Sequence, residues 1–223
     1  MRKAVLHLKK SDPVLRKIIE SIGPCRMVFG EPTFHSLAEA IVYQQLNGKA
    51  ALTIFNRFLT LTGDPVTPGG ILKLTPEQMR SVGLSKQKSS YLFDMAERVH
   101  RSALDFTRLP GMSDQEVIEH LTQVKGVGVW TAHMFLMFTL RRPNILPTGD
   151  FGVRMAMFKH YLDKRAAKNG IASGKSQKGA RKPRARKIIL PKPSQMEKIA
   201  KSWEPYRSVA CWYLWKSLDI ETM

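Results

Sequence analysis

Leu121-Thr122-Gln123-Val124-Lys125-Gly126-Val127-Gly128-Val129-Trp130-Thr131-Ala132 reads as the end of one helix, a short Gly-x-Gly turn and the start of another. Glycines permit positive φ and let the backbone come close to another group. The first N–H groups of the second helix lack intrahelical partners, and together with the helix dipole they form a site for a phosphate. Downstream, Pro143-Asn144-Ile145-Leu146-Pro147-Thr148-Gly149 leads to a carboxylate, Asp150, twenty residues after Trp130. An Asp ahead of Phe151, Gly152 and Val153 suits a helix N-cap. The same carboxylate suits a reaction in which positive charge develops beside it. Residue type alone favours the cap, and a lone Gly-x-Gly turn is most often an ordinary turn, so the neighbouring elements must decide.

Those elements read as nearly all helix. Ser11-Asp12-Pro13 starts one, Ser36 a second, and Asn47-Gly48 separates that from a third. Pro65 to Gly70 reads as a loop. Thr75-Pro76-Glu77 and Ser85 start two further helices, and Ser113 with Glu116 forms a capping box ahead of Val117, Ile118 and Leu121. Helices are also expected over Trp130–Leu140, from Asp150 to about Leu162, over Ser194–Trp203 and from near Pro205 to Leu218. The one strand signal, Lys187-Ile188-Ile189-Leu190, is short and ends at Pro191.

Charge narrows the partner. Lys and Arg number 36 against 18 Asp and Glu, a net +18. That excess fits a polyanion, because each phosphate neutralised releases counterions. Ten of the cations lie between Lys164 and Lys187 with no acid among them; setting those ten aside from +18 leaves +8. The run is rich in Lys, Arg, Ala, Gly and Ser and reads as a mobile surface insertion. No apolar stretch nears the ~18 residues of a membrane span, and no basic amphipathic helix with an aromatic face suggests a membrane surface. The first residues lack the apolar core of a signal peptide, so an intracellular protein is expected. Two cysteines without a Cys-x-x-Cys pair leave no framework for a cysteine-based zinc or iron–sulfur site.

Val124-Lys125-Gly126-Val127-Gly128-Val129-Trp130-Thr131-Ala132, the Pro/Gly-containing loop and Asp150 together resemble the hairpin-to-aspartate unit of the helix–hairpin–helix DNA glycosylase superfamily. Trp130 where other members carry lysine, and the twenty-residue spacing, resemble the 3-methyladenine DNA glycosylase II branch. Ala40 to Ala50, Val82-Gly83-Leu84-Ser85 with Lys88 and Tyr91, and Glu204-Pro205-Tyr206-Arg207 followed by Trp212-Tyr213-Leu214-Trp215 are similar to other segments of that branch. The likeness covers roughly residues 12–162 and 194–218. It looks like the compact form, without the extra β domain of longer members.

The resemblance implies an all-α fold of two helical subdomains, about 34–143 and 1–33 with 144–223, with a DNA-binding cleft between them. It implies a monofunctional glycosylase that removes alkylated purines from duplex DNA and leaves an abasic site. Asp150 is then the catalytic carboxylate. Trp130 and Trp215 are aromatic walls of the base pocket, joined by Tyr43, Met134, Phe151 and Lys216. Gln45 or Leu46 fills the gap left by the flipped base, with Asn47 at the minor groove. Lys125, Gly126, Gly128 and Thr131 hold phosphate at the hairpin. Main-chain carbonyls of Thr122, Val124 and Val127 hold a structural Na⁺ or K⁺, and no organic cofactor is implied. The expected partner is double-stranded DNA containing damaged bases, met by a monomer. The alternatives are a relative preferring deaminated or etheno bases, a non-catalytic DNA-binding protein, and a bifunctional glycosylase/lyase, which Trp130 in the lysine position argues against.

Overall fold

Most helix starts in this chain are fixed by side-chain oxygens that accept from the otherwise unpaired first N–H groups. The computed structural model describes residues 1–163 and 188–219, and among them every regular element is helical. In chain order these are α1 (Arg2–Ser11), α2 (Pro13–Ile22), α3 (Phe34–Tyr43), α4 (Gly48–Thr62), α5 (Pro68–Leu72), α6 (Pro76–Ser81) and α7 (Lys86–His100). Then follow α8 (Asp114–Leu121), α9 (Val129–Phe138), α10 (Phe151–Met157) with a π-helical turn (Phe158–Leu162), α11 (Pro193–Ala200) and α12 (Arg207–Asp219). The expected mobile basic insertion over about 164–187 lies outside the described residues.

The chain divides into two units, Val28–Arg142 and Met1–Met27 with Pro143–Met223. In the first, Thr33, Asn47, Thr67, Thr75, Ser85 and Ser113 cap α3 to α8 in turn. Thr75 with Gln78 and Ser113 with Glu116 form reciprocal capping boxes. Leu37 and Ile41 of α3, Phe58 of α4, Ile71, Leu92, Met95, Leu121 and Leu136 form a core closed to solvent. The unit begins at Val28, ahead of residue 34. The Gly30 N–H donates to the Phe138 carbonyl (2.9 Å) and Glu31 pairs with Arg141 (2.6 Å), tying this lead-in to the end of α9.

Two helix boundaries differ from the sequence reading. The cap of α3 is Thr33, whose oxygen accepts from the Ser36 N–H; Ser36 is already in the first turn. Part of the supposed loop over Pro65–Gly70 is helical, because Thr67 caps, Pro68 takes the first position and Ile71 is buried.

In the other unit an unexpected helix, α1, precedes α2. Its inward stripe is only Ala4 and Leu8, one turn apart, so its pattern is faint among lysines. Asp12 fixes the junction. Its Oδ1 accepts from Val14 and Leu15 N–H, and its Oδ2 accepts from Tyr161 Oη (2.9 Å) and Trp203 Nε1 (2.7 Å). Four donors compensate a carboxylate only 5% exposed. Helix α12 packs on α2 and α10, and Tyr213 Oη donates to the Gly23 carbonyl (2.9 Å).

Candidate active site and DNA hairpin

Asp150 is delivered by a braced loop. The Ser208 N–H donates to the Pro143 carbonyl (2.9 Å), and Ser208 Oγ accepts from the Ile145 N–H (3.0 Å), anchoring the loop to α12. The Asp150 N–H then closes a turn onto the Pro147 carbonyl (2.9 Å). Asp150 is the N-cap of α10 and 7% exposed. Its Oδ1 accepts from the Val153 N–H (2.7 Å) and from Trp215 Nε1 (2.8 Å). The positive end of the α10 dipole adds to the stabilisation of negative charge here. Cys211, one turn before Trp215, is fully buried, and burial, with the Asp150 charge adding, pushes its thiol well up. Phe151, by contrast, is 65% exposed at the first position of α10.

In the Val28–Arg142 unit, α8 ends at Thr122 and the chain turns at Gly126, φ +76. A Cβ at Gly126 would lie 2.1 Å from the Tyr91 ring, so both conformation and close approach require glycine. Gly128 is different. It stands at φ −91 with nothing within 4 Å of a built Cβ, so no positive φ accounts for it. As the N-cap of α9 it supplies no side-chain acceptor, whereas α3 to α8 each receive one. The first N–H groups of α9 are therefore presented without a side-chain cap.

The four residues expected at phosphate are not equivalent. The Lys125 N–H already donates to Asp94 Oδ2 (2.9 Å), and its ammonium lies 3.7 Å from Asp94 Oδ1. Thr131 is buried, its hydroxyl facing Gln44 Nε2 (3.4 Å). Gly126 and Gly128 are exposed. Of the three carbonyls expected at a cation, that of Val124 accepts from the Val127 N–H (3.1 Å). Thr122 is the C-cap of α8, where helix carbonyls lose their intrahelical donors.

Trp130 is 48% exposed on the first turn of α9, with half-buried Met134 one turn further along the same face. Core packing does not account for that indole. Tyr43 ends α3, its ring edge-on to Phe55 (6.1 Å); burial, then the Glu39 charge, raises its phenol above the usual range. Gln45 is exposed in the left-handed region (φ 56), and Leu46 is 38% exposed, so neither packs as core. Asn47 caps α4 through Oδ1, accepting from the Ala50 N–H (2.9 Å).

Two positioning groups carried no local signal. Asp94 on α7 accepts from the Lys125 N–H and from Arg98 Nε (2.9 Å). Burial opposes its charge, yet these hydrogen bonds and the Arg98 and Lys125 charges hold its carboxyl below the usual range. Gln44 Nε2 donates to the Gly126 carbonyl (3.0 Å), tying the end of α3 to the hairpin. Asp94 reads in sequence as an ordinary helix pair with Arg98, four residues on.

Residues 38–182 match the family described as HhH-GPD superfamily base excision DNA repair protein. The chain belongs to that superfamily. This HhH-GPD protein is 30% identical over 224 residues to DNA-3-methyladenine glycosylase 1 of Schizosaccharomyces pombe, a match covering 97% of this chain and 87% of the relative. Its fold is similar to the S. pombe 3-methyladenine DNA glycosylase in complex with abasic DNA (TM-score 0.76, 30% identity, 97% of each chain). It is similar also to a DNA-3-methyladenine glycosidase from Bacillus halodurans (TM-score 0.76, 33% identity, 98% of this chain and 90% of the other).

Proposed function

We propose that this HhH-GPD protein is a monofunctional DNA glycosylase. It hydrolyses the N-glycosidic bond of alkylated purines, of the 3-methyladenine and 7-methylguanine type, in duplex DNA and leaves an abasic site for base excision repair. The observation that carries this reading is Asp150, a carboxylate 7% exposed, braced by a main-chain N–H and an indole N–H, in a chain whose relatives are named for this activity. A buried carboxylate beside phosphates hinders a protein that only binds DNA, and it serves one that must stabilise a cation.

Breaking the C1′–N bond leaves positive charge on the sugar. A fixed carboxylate stabilises that oxocarbenium-like state and orients the water that adds to it. The exposed Trp130 indole offers a π face, which attracts a cationic methylated purine beyond ordinary stacking. With no amine at position 130, no Schiff base forms with the sugar and the strand is left intact. Gln45 and Leu46 are proposed to occupy the gap left by the extruded nucleotide. The N–H groups at the start of α9 would hold phosphate, and the carbonyls of Thr122, Val124 and Val127 a Na⁺ or K⁺ ion. The protein is proposed to act as a monomer, inside the cell with its DNA.

Incubation with methylated duplex, followed by separation of released bases and of intact from nicked strands, tests this reading. It predicts 3-methyladenine or 7-methylguanine in solution and strands that break only after alkali. Breaks without alkali contradict the role given to Trp130. Release of hypoxanthine or ethenoadenine alone would reassign the substrate.

A further inference from the structure

Trp215 meets Asp150 through the indole edge. Its Nε1 lies 2.8 Å from Oδ1, the oxygen that also accepts the Val153 N–H at 2.7 Å. The two donors come from different helices and hold that oxygen from two directions. An indole N–H only donates and a carboxylate oxygen accepts, so the two groups are complementary. Gly152 supplies an independent observation. It sits within α10 without a positive φ, so its backbone does not require glycine. A Cβ there would fall 2.8 Å from Trp215 Cδ1, 3.0 Å from Nε1 and 3.2 Å from Asp150 Oδ1. The glycine clears the path by which the indole reaches the carboxylate.

We infer that Trp215 is a positioning residue for the glycosylase reaction: its indole N–H, admitted by the bare Cα of Gly152, holds the Asp150 carboxylate in its reactive orientation. This rests on the reading of Asp150 as the reacting carboxylate. It differs from a role as an aromatic wall, which depends on the ring face and leaves the N–H without function. Trp215→Phe keeps a face and loses the donor. Gly152→Ala keeps the indole and displaces it.

Single-turnover release of 7-methylguanine from methylated duplex separates the two roles. For Trp215→Phe the maximal rate should fall about 10- to 100-fold, the scale of a missing preorganised donor or a misplaced group. The enzyme concentration at half-maximal rate, and affinity for abasic duplex, should stay within about threefold of the unaltered chain, a factor small beside a tenfold step. Gly152→Ala should reproduce the loss. The double variant should fall no further than the worse single one, because both changes break one interaction. Trp215→His, which keeps a ring N–H, should recover part of the rate. A maximal rate unchanged in Trp215→Phe, or a loss confined to half-saturation, overturns the inference. If Trp215→Phe fails to show the parent's thermal transition, Gly152→Ala decides alone, and its full activity overturns the inference equally. An unaltered chain that releases no alkylated base brings down the glycosylase reading itself, whereas an active chain with an equally active Trp215→Phe brings down only the positioning role.

Discussion

The two glycines of the hairpin should respond to alanine to very different degrees. Gly126 stands at φ +76, which costs an L-residue about 1–2 kcal/mol. The added methyl would also fall 2.1 Å from Cδ2 and from Cε2 of Tyr91. Carbon atoms settle near 3.5–4 Å, so the ring must give way by more than an ångström. Overpacking of this kind costs about 1–3 kcal/mol. Tyr91 is half-buried and its hydroxyl accepts from Gln87 Nε2, so displacement also breaks a hydrogen bond. Gly126→Ala should therefore lower stability by about 2–5 kcal/mol, the strained backbone and the overpacked ring taken together. Gly128→Ala, at φ −91 with open space around it, should cost less than about 1 kcal/mol, the ordinary effect of alanine at an N-cap. Urea unfolding followed by circular dichroism measures both. Adding Gly126→Ala to Tyr91→Ala should cost only the backbone share of about 1–2 kcal/mol. A Gly126→Ala protein as stable as Gly128→Ala would refute the reasoning.

Asp94→Asn should destabilise the chain at neutral pH by about 1–3 kcal/mol, by weakening the charged acceptor for Lys125 and Arg98. Its folded carboxyl titrates below the unfolded value of about 3.9, so its stabilisation is complete above that pH and disappears as pH falls through the folded value. Unfolding measured across acid pH should thus show a shallower loss in Asp94→Asn; an unchanged acid limb contradicts the assignment. Lys125→Gln should weaken binding to all duplexes alike and reduce the salt slope of log K by about 1, since one phosphate fewer is neutralised. An unaltered slope would mean that Asp94 retains that ammonium when DNA binds. Exchange of Na⁺ and K⁺ for tetramethylammonium at constant ionic strength should weaken duplex binding, and equal affinity in both salts removes the proposed ion at Thr122, Val124 and Val127.

Much of this architecture was legible because helix capping is local chemistry. Ser113 with Glu116, Thr75 ahead of Pro76, and Ser85 each announce a start within four residues, and all three hold. The start of α3, read at Ser36, falls three residues earlier at Thr33, and Ser36 Oγ instead donates to the Glu31 carbonyl (2.6 Å). Helix α1 escaped notice because two buried side chains do not make a periodic pattern. Within the candidate site, residue type alone reads Asp150 as a cap, and the family resemblance singles out Asp150 and Trp130. What holds Asp150 in place comes from Trp215, 65 residues away, and what anchors Lys125 comes from Asp94, 31 residues away. Such pairings arise only when distant helices pack. Gly152 shows the same limit: as a sequence symbol it marks a weak helix position, and only the neighbouring indole explains it.

The central claim is that Asp150 does chemistry as well as capping. Asp150→Asn separates these roles, because an amide oxygen can still accept from the Val153 N–H and Trp215 Nε1 while the charge is gone. Release of methylated purine from duplex DNA, measured beside affinity for the same duplex, should fall by at least about 10²-fold in Asp150→Asn, the scale of removing one electrostatic interaction with the transition state, with binding retained. Undiminished release by a normally folded Asp150→Asn would leave the residue as a helix cap and contradict the account.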